Sequence, residues 1–219
     1  MGSQLISSAV RIPGYLTRMV AISLVLILVA WVFSKKIRVY NIGKFQAVIE
    51  LGTEKLWKLA ADTMGSREKA ARYVPVLGTI FVFILFSNYS GMIPGAGMTE
   101  HFTAPTSVLT VTLGLGLCSL LLTFYFGIEA KGAAYFKSFV SPYAFLLPLN
   151  LIDELTKPIS LALRLFGSVV AEEILIAAIY NIMPYVAPVV FYFISLFFGA
   201  LQAFIFTILT TIYISGAVE

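Results

Sequence analysis

Hydrophobic and polar positions along the chain divide it into long apolar runs separated by short charged segments. Met19 to Phe33 is apolar apart from Ser23, and Lys35, Lys36 and Arg38 follow at once. This predicts a first span over 19–34. Its charges lie on the wrong side for a signal peptide and no small-residue cleavage site follows, so the span is expected to be retained, with the start of the chain outside. From Lys44 to Asp62 the apolar residues Phe45, Val48, Ile49, Leu56, Leu59 and Ala60 recur at three- and four-residue spacing, with Lys44, Glu50, Glu54, Lys55, Lys58 and Asp62 between them. That period predicts an amphipathic helix within a cytoplasmic loop over 35–72. With Trp57 as an anchor, the helix is expected to lie on the inner membrane surface or against a partner's stalk.

Two further runs, Tyr73 to Tyr89 and Ser107 to Ile128, predict a two-span hairpin over 73–128. The break between them contains Gly91, Pro94, Gly95 and Gly97, and it carries Glu100 and His101 but no basic residue. In the second run Thr112, Gly116, Ser119 and Thr123 form a small or hydroxylated stripe, which suits close helix packing or, alternatively, a polar lining. A second hairpin follows over 142–216, turning at Pro184 and Pro188. Its last arm, Val189 to Ile214, has no ionisable acid or base. Ser195, Gly199, Gln202 and Tyr213 nevertheless fall within about 60° of one another at 100° per residue, giving that helix one polar face.

Composition turns these runs into a class. Of 219 residues, 59% are apolar and 12% charged, against about 45–50% and about 25% in soluble domains. The chain reads as all-α: one polytopic membrane domain over 1–219, with about five membrane helices and one amphipathic surface helix. Nine of the fifteen basic residues fall between Lys35 and Arg72. Between two apolar runs, such a block marks a cytoplasmic loop and not a nucleic-acid surface. Lys131 and Lys137 mark the next inner turn, leaving only Arg11 and Arg18 outside. One cysteine, Cys118, and one histidine, His101, exclude a disulfide framework, a four-cysteine iron–sulfur site and a bis-histidine haem. No metal or cofactor site is expected.

Chemistry concentrates between Pro142 and Met183, where Asp153, Glu154, Lys157, Arg164, Glu172 and Glu173 stand in apolar sequence. Arg164 lies within Ile159 to Gly167, and an arginine at the centre of a spanning helix costs at least about 2.5–3.5 kcal/mol. An internal ion pair is poorly placed to offset this. Glu172 is about 80° around the helix and about 12 Å along it, and Glu173 faces the opposite side. Arg164 is therefore expected to address a carboxylate on another chain, with Ser168 near its own face and Glu173 facing a wet cavity within this one. A guanidinium cannot pass a proton on. At about 4 Å it favours an ionised acid by up to about 4 kcal/mol at an effective dielectric of 20. Glu172 and Glu173 are the opposite kind of group, carboxyls able to relay protons. Asp153, Glu154 and Lys157, just before Pro158, are read as acids capping a helix start with a snorkelling lysine, or as a charged cytoplasmic vestibule.

The segment Lys157-Pro158-Ile159-Ser160-Leu161-Ala162-Leu163-Arg164-Leu165-Phe166-Gly167 resembles that around the essential arginine in the a subunit of rotary F-type ATP synthases. Leu201-Gln202-Ala203-Phe204-Ile205-Phe206-Thr207 is similar to that family's last-helix motif, whose glutamine neighbours the arginine. Phe86-Ser87-Asn88-Tyr89-Ser90-Gly91 and Ala104-Pro105-Thr106 extend the resemblance over about Tyr73 to Ile214, and bring Asn88 into the ion-path set. The resemblance implies two long helices steeply tilted along a ring of c subunits, and two offset aqueous half-channels with Arg164 between them. Partners would be the ring, b-type peripheral stalk subunits, the rest of the complex and the lipid membrane, with no nucleic acid. Two departures stand out. The family often has asparagine where this chain has Ser168. It also places an ionisable residue either just before the glutamate or on the last helix seven residues before the glutamine, and here those positions hold Glu172 and Ser195.

Two rivals are weaker. A self-sufficient transporter would show internal repeats, and an intramembrane hydrolase would need H-E-x-x-H or G-x-S-x-G; none is present. The chain also has no nucleotide-binding loop and is expected not to be an enzyme by itself. A bacterial plasma membrane is the expected location from the lack of a transit peptide, with an organelle inner or thylakoid membrane as the alternative.

Overall fold

The computed structural model describes residues 19–28, 31, 44–65, 67–91, 104–132, 134–135, 145, 147–183 and 187–218. The regular structure among them is helical throughout: α1 (Met19–Leu28), then α2 (Lys44–Met64), α3 (Arg67–Ser90), a 3₁₀ turn (Pro105–Ser107), α4 (Leu109–Lys131), α5 (Leu147–Ile182) and α6 (Ala187–Val218). Helices α3, α4 and α6 are each long and apolar enough to cross a membrane. Three of the expected five membrane helices thus qualify among the described residues; α1 is a shorter apolar helix, α5 carries charges along its length, and α2 is the amphipathic one. The remainder of the first span, the external loop with Glu100 and His101, and Arg11, Arg18, Lys35, Lys36, Arg38 and Lys137 lie outside the described residues.

The interior is built from small and hydroxylated side chains. Thr112, Ser119, Thr123, Thr207, Thr210 and Thr211 are buried, while Leu117, Leu121, Phe193 and Phe197 point outward. That inversion follows from the solvent: lipid tails are as apolar as leucine, so helices associate through close backbone approach and hydrogen bonds. The stripe on α4 packs, as its spacing predicts. A Cβ at Gly116 would stand 2.5 Å from the Pro158 carbonyl oxygen of α5, and Ser119 Oγ lies 3.1 Å from Thr210 Oγ1 of α6. Two apolar clusters complete the core. One joins Ala60, Met64, Tyr73, Phe126 and Ile214; the other joins Ile84, Ala104, Leu161, Leu165, Ala203 and Phe206.

Helix α2 turns into α3 through Gly65, whose φ of 66° falls in the left-handed region where glycine carries no Cβ penalty. Its Ala60 and Met64 face the chain's own helices, and Ser215 Oγ of α6 donates to the Thr63 carbonyl. The amphipathic helix therefore docks one edge on this chain and leaves Gly52 to Lys55 exposed. An exposed ion pair, Arg72 with Glu129, links the start of α3 to the end of α4.

Two expectations are corrected. Helix α5 begins at Leu147 and has no acid in its first turn, so Asp153 and Glu154 do not cap a helix start. Pro158 is inside the helix, not at its opening, since membrane helices tolerate proline where neighbours take up the freed carbonyl or pack against it. Pro188 likewise stands in the first turn of α6, not in the connection. With 36 residues α5 is about 54 Å long, and with 32 residues α6 is about 48 Å. Both exceed the roughly 30 Å hydrocarbon layer of a bilayer.

Candidate functional site

Arg164 sits mid-way along α5 on its exposed face. The ion pairs among the described residues are Arg72–Glu129 and Lys157–Glu154, so Arg164 is not neutralised by Glu172 or Glu173. Ser160, Gly167, Ala171 and Ala178 are exposed with it, within about 60° at 100° per residue. Side chains this small leave the guanidinium open to close approach by another helix, and nothing stands within 4 Å of where a Cβ at Gly167 would be. The opposite face of α5, with Leu161, Leu165 and Val169, is buried against the bundle.

The two acids lie a little over two turns beyond, both half-buried. Ser195 of α6 stands beside the Glu172 carboxylate, and Glu173 bears electrostatically on the same group. Glu173 Oε1 accepts a hydrogen bond of 3.0 Å from the backbone N–H of Ala104, at the mouth of the 3₁₀ turn. Next to this, Asn88 Nδ2 donates to the Gly199 carbonyl at 3.0 Å, and Thr106 Oγ1 donates to Asn88 Oδ1 at 2.8 Å. Tyr89 Oη donates to the Leu196 carbonyl at 3.1 Å. Helix α3, the turn, α5 and α6 thus meet in one polar patch holding Asn88, Glu172, Glu173 and Ser195.

Gln202 is 8% exposed, and its Nε2 has no hydrogen-bond partner among the described residues. An unsatisfied buried amide of this kind costs about 1–3 kcal/mol. Ser168 spends its hydroxyl on the Leu165 carbonyl of its own helix.

Toward the other end of α5, Glu154 is buried and pairs with Lys157 one turn on. The Lys157 ammonium lies 5.6 Å from the centre of the Tyr213 ring, within cation–π reach. A narrow cleft is lined by Ser119, Thr123, Glu154, Lys157, Pro158 and Tyr213. Asp153 is exposed beside it. Tyr135, which the sequence pattern does not single out, is buried here. Burial, and secondarily the Glu154 carboxylate, pushes its phenol up to about 12. Its ring fills the space over Gly127, where a Cβ would come within 2.7 Å of it.

The sequence-derived residues therefore fall into three places: Arg164 alone on an open face, the Asn88–Glu172–Glu173–Ser195 patch, and the Glu154–Lys157–Tyr213 cleft. Ala104 and Thr106 escape sequence reasoning as site residues because three loop positions carry no periodicity. The short Ala104-Pro105-Thr106 motif is the signal that points to them.

The family described as ATP synthase A chain matches this sequence over residues 15–215. The chain belongs to the F-type ATP synthase a subunits. It is similar to the chloroplastic ATP synthase subunit a of Bigelowiella natans, 36% identical over 93% of this chain and 84% of that one. It is also similar to those of Stigeoclonium helveticum, 37% identical over 78% of this chain and 70% of that one, and of Oedogonium cardiacum, 36% identical over 80% and 70%. As an a subunit it is a membrane-sector component of the ATP synthase complex, which agrees with the outward-facing apolar surface of its helices.

Proposed function

We propose that this chain is the stationary ion-translocating subunit, exchanging protons with the carboxylates of a rotating c ring through Arg164 and so coupling ion motive force to ATP synthesis. The observation that carries this reading is the placement of Arg164: an arginine with no ion pair among the described residues, on the exposed, small-residue face of α5. A permanent cation there needs a counter-charge from outside the chain. A ring carboxylic acid brought alongside loses its proton, because the guanidinium stabilises the anion and cannot itself become a carrier.

Two half-channels supply and remove the proton. The outer one runs through the patch of Asn88, Glu172, Glu173 and Ser195, and the inner one through the vestibule of Asp153, Glu154 and Lys157 beside Tyr213. Arg164 lies between the two groups along α5, so a proton crosses by riding the ring and not by running straight through. Gln202, buried on α6, and Ser168 flank the exchange point. The great length of α5 and α6 suits helices tilted along the ring. The chain is not catalytic by itself, and ATP chemistry belongs to its partners. The exposed edge of α2 serves the b-type stalk subunits. The chloroplastic names of the relatives favour the thylakoid membrane over a bacterial plasma membrane.

Cysteine cross-linking tests the ring-facing assignment. After replacement of Cys118, single cysteines at Ser160 and Gly167 are expected to cross-link to cysteines on the ring helix that bears the carboxylate, while Leu161 and Leu165 cysteines do not. Equal cross-linking from both faces, or from the buried one alone, contradicts it.

A further inference from the structure

The segment before α4 departs from what loops do. Loops run over surfaces because their backbone groups need water, yet Ala104 is 1% exposed and Thr106 0%. In a membrane protein a buried non-helical stretch persists only where the protein itself satisfies it. The Ala104 N–H is satisfied by Glu173 Oε1, and the N–H groups of Ser107 and Val108 by the carbonyls of Ala104 and Pro105. Glycine at 91 lets the end of α3 press on this turn, since a Cβ there would stand 2.6 Å from Ala104 Cβ.

What fixes the turn is a one-way chain of donors. The Gly199 carbonyl can only accept, so Asn88 presents its Nδ2 to α6 and its Oδ1 to the turn, and Thr106 must donate. Thr123, Thr207, Thr210 and Thr211 use their hydroxyls on the carbonyl four residues back in their own helices. The hydroxyl of Thr106 instead crosses to another element.

We propose that Thr106 is a positioning residue for proton transfer: through Asn88 it holds the buried turn that aims the Ala104 N–H at Glu173, and so fixes the direction of that carboxylate. This rests on the reading of Glu173 as a proton relay. An N–H donor on one carboxylate oxygen sets the plane of the group, and proton transfer depends steeply on that alignment. Asn88 thereby ties the relay on α5 to α6 at Gly199, four positions from Ser195 and three from Gln202.

The test is ATP-driven proton pumping by the assembled complex in inverted vesicles, normalised to the amount of complex, for Thr106→Val, Thr106→Ser, Gly91→Ala and Glu173→Gln. Thr106→Val keeps the shape and removes the hydroxyl, and pumping is expected to fall up to about tenfold, the upper end of what one neutral hydrogen bond contributes. Thr106→Ser keeps the hydroxyl and is expected to pump within about twofold of wild type, on the same reckoning of a retained bond. Gly91→Ala reaches the same turn sterically and is expected to lose pumping as Thr106→Val does, which preserves the test should the valine variant not assemble. In a Glu173→Gln background Thr106→Val should subtract nothing further. If Thr106→Val pumps as wild type, or Thr106→Ser is as damaged as Thr106→Val, the hydroxyl does not position and the inference is overturned. If Glu173→Gln itself pumps at the wild-type rate, the relay reading fails, whatever the threonine variants do.

Discussion

The Ser195 side chain of α6 stands beside the carboxylate of Glu172 on α5, the acid eight positions beyond Arg164. These are the two positions at which related a subunits are expected to carry their extra ionisable group, and here they face each other across one helix interface. A proton carrier supplied from either helix would therefore stand in the same place.

Moving the acid across that contact is the direct check. Glu172→Ser alone is expected to lower ATP-driven pumping at least about tenfold, modest for loss of a proton-transfer group, and Glu172→Ser with Ser195→Glu to recover most of it. A double variant no better than the single one would mean that the position, and not only the presence of an acid, matters.

Packing at the α4–α5 crossing gives a prediction about stability. Gly116 meets the Pro158 carbonyl with no room for a methyl group, whereas a Cβ at Gly114 meets nothing within 4 Å. Gly116→Ala should destabilise by about 1–3 kcal/mol, the usual range for overpacking, and Gly114→Ala should be close to neutral. Thermal dissociation of the purified complex, followed by loss of this subunit, separates them.

The Glu154–Lys157 pair should respond unequally to losing either partner. The Glu154 side chain is 9% exposed and that of Lys157 36%. Lys157→Met strands a buried carboxylate, while Glu154→Gln leaves an ammonium that snorkels toward water. Fully buried pairs lose about 3–5 kcal/mol when broken; the lysine variant should approach the lower end and the glutamine variant fall below it. The same thermal dissociation assay reads the order, and a reversed order would show that Glu154 is solvated in the complex.

Much of this was legible in the sequence, for identifiable reasons. Uninterrupted apolar runs gave α4 and α6 nearly to their ends, whereas α3 starts at Arg67, six residues before the apolar run that marked it, because its first turns are charged. Arg164 stood out because nothing within reach on its own helix offsets its charge. The polar face of α6 followed from spacing alone, and Ser195, Gly199 and Gln202 are indeed turned inward. The start of α5 was not legible: Pro158 resembles a first-turn proline when read locally, and only packing against Gly116 accommodates it within the helix. Nor was the contact of Ala104 with Glu173, which joins residues 69 positions apart through a turn too short to have a period. Tyr135 was hidden for the same reason, since a lone aromatic near an inner loop looks like an interfacial anchor until Gly127 and Glu154 are seen around it.

The central claim is that Arg164 is the charge that couples ring movement to ion transfer. It is tested most directly by ATP-driven acidification of inverted vesicles carrying Arg164→Ala, compared with wild type at equal amounts of assembled complex. Complete loss of pumping in a fully assembled mutant complex is the predicted result. Pumping at the wild-type rate would contradict it, leaving the arginine structural and the exposed face of α5 without the role assigned to it.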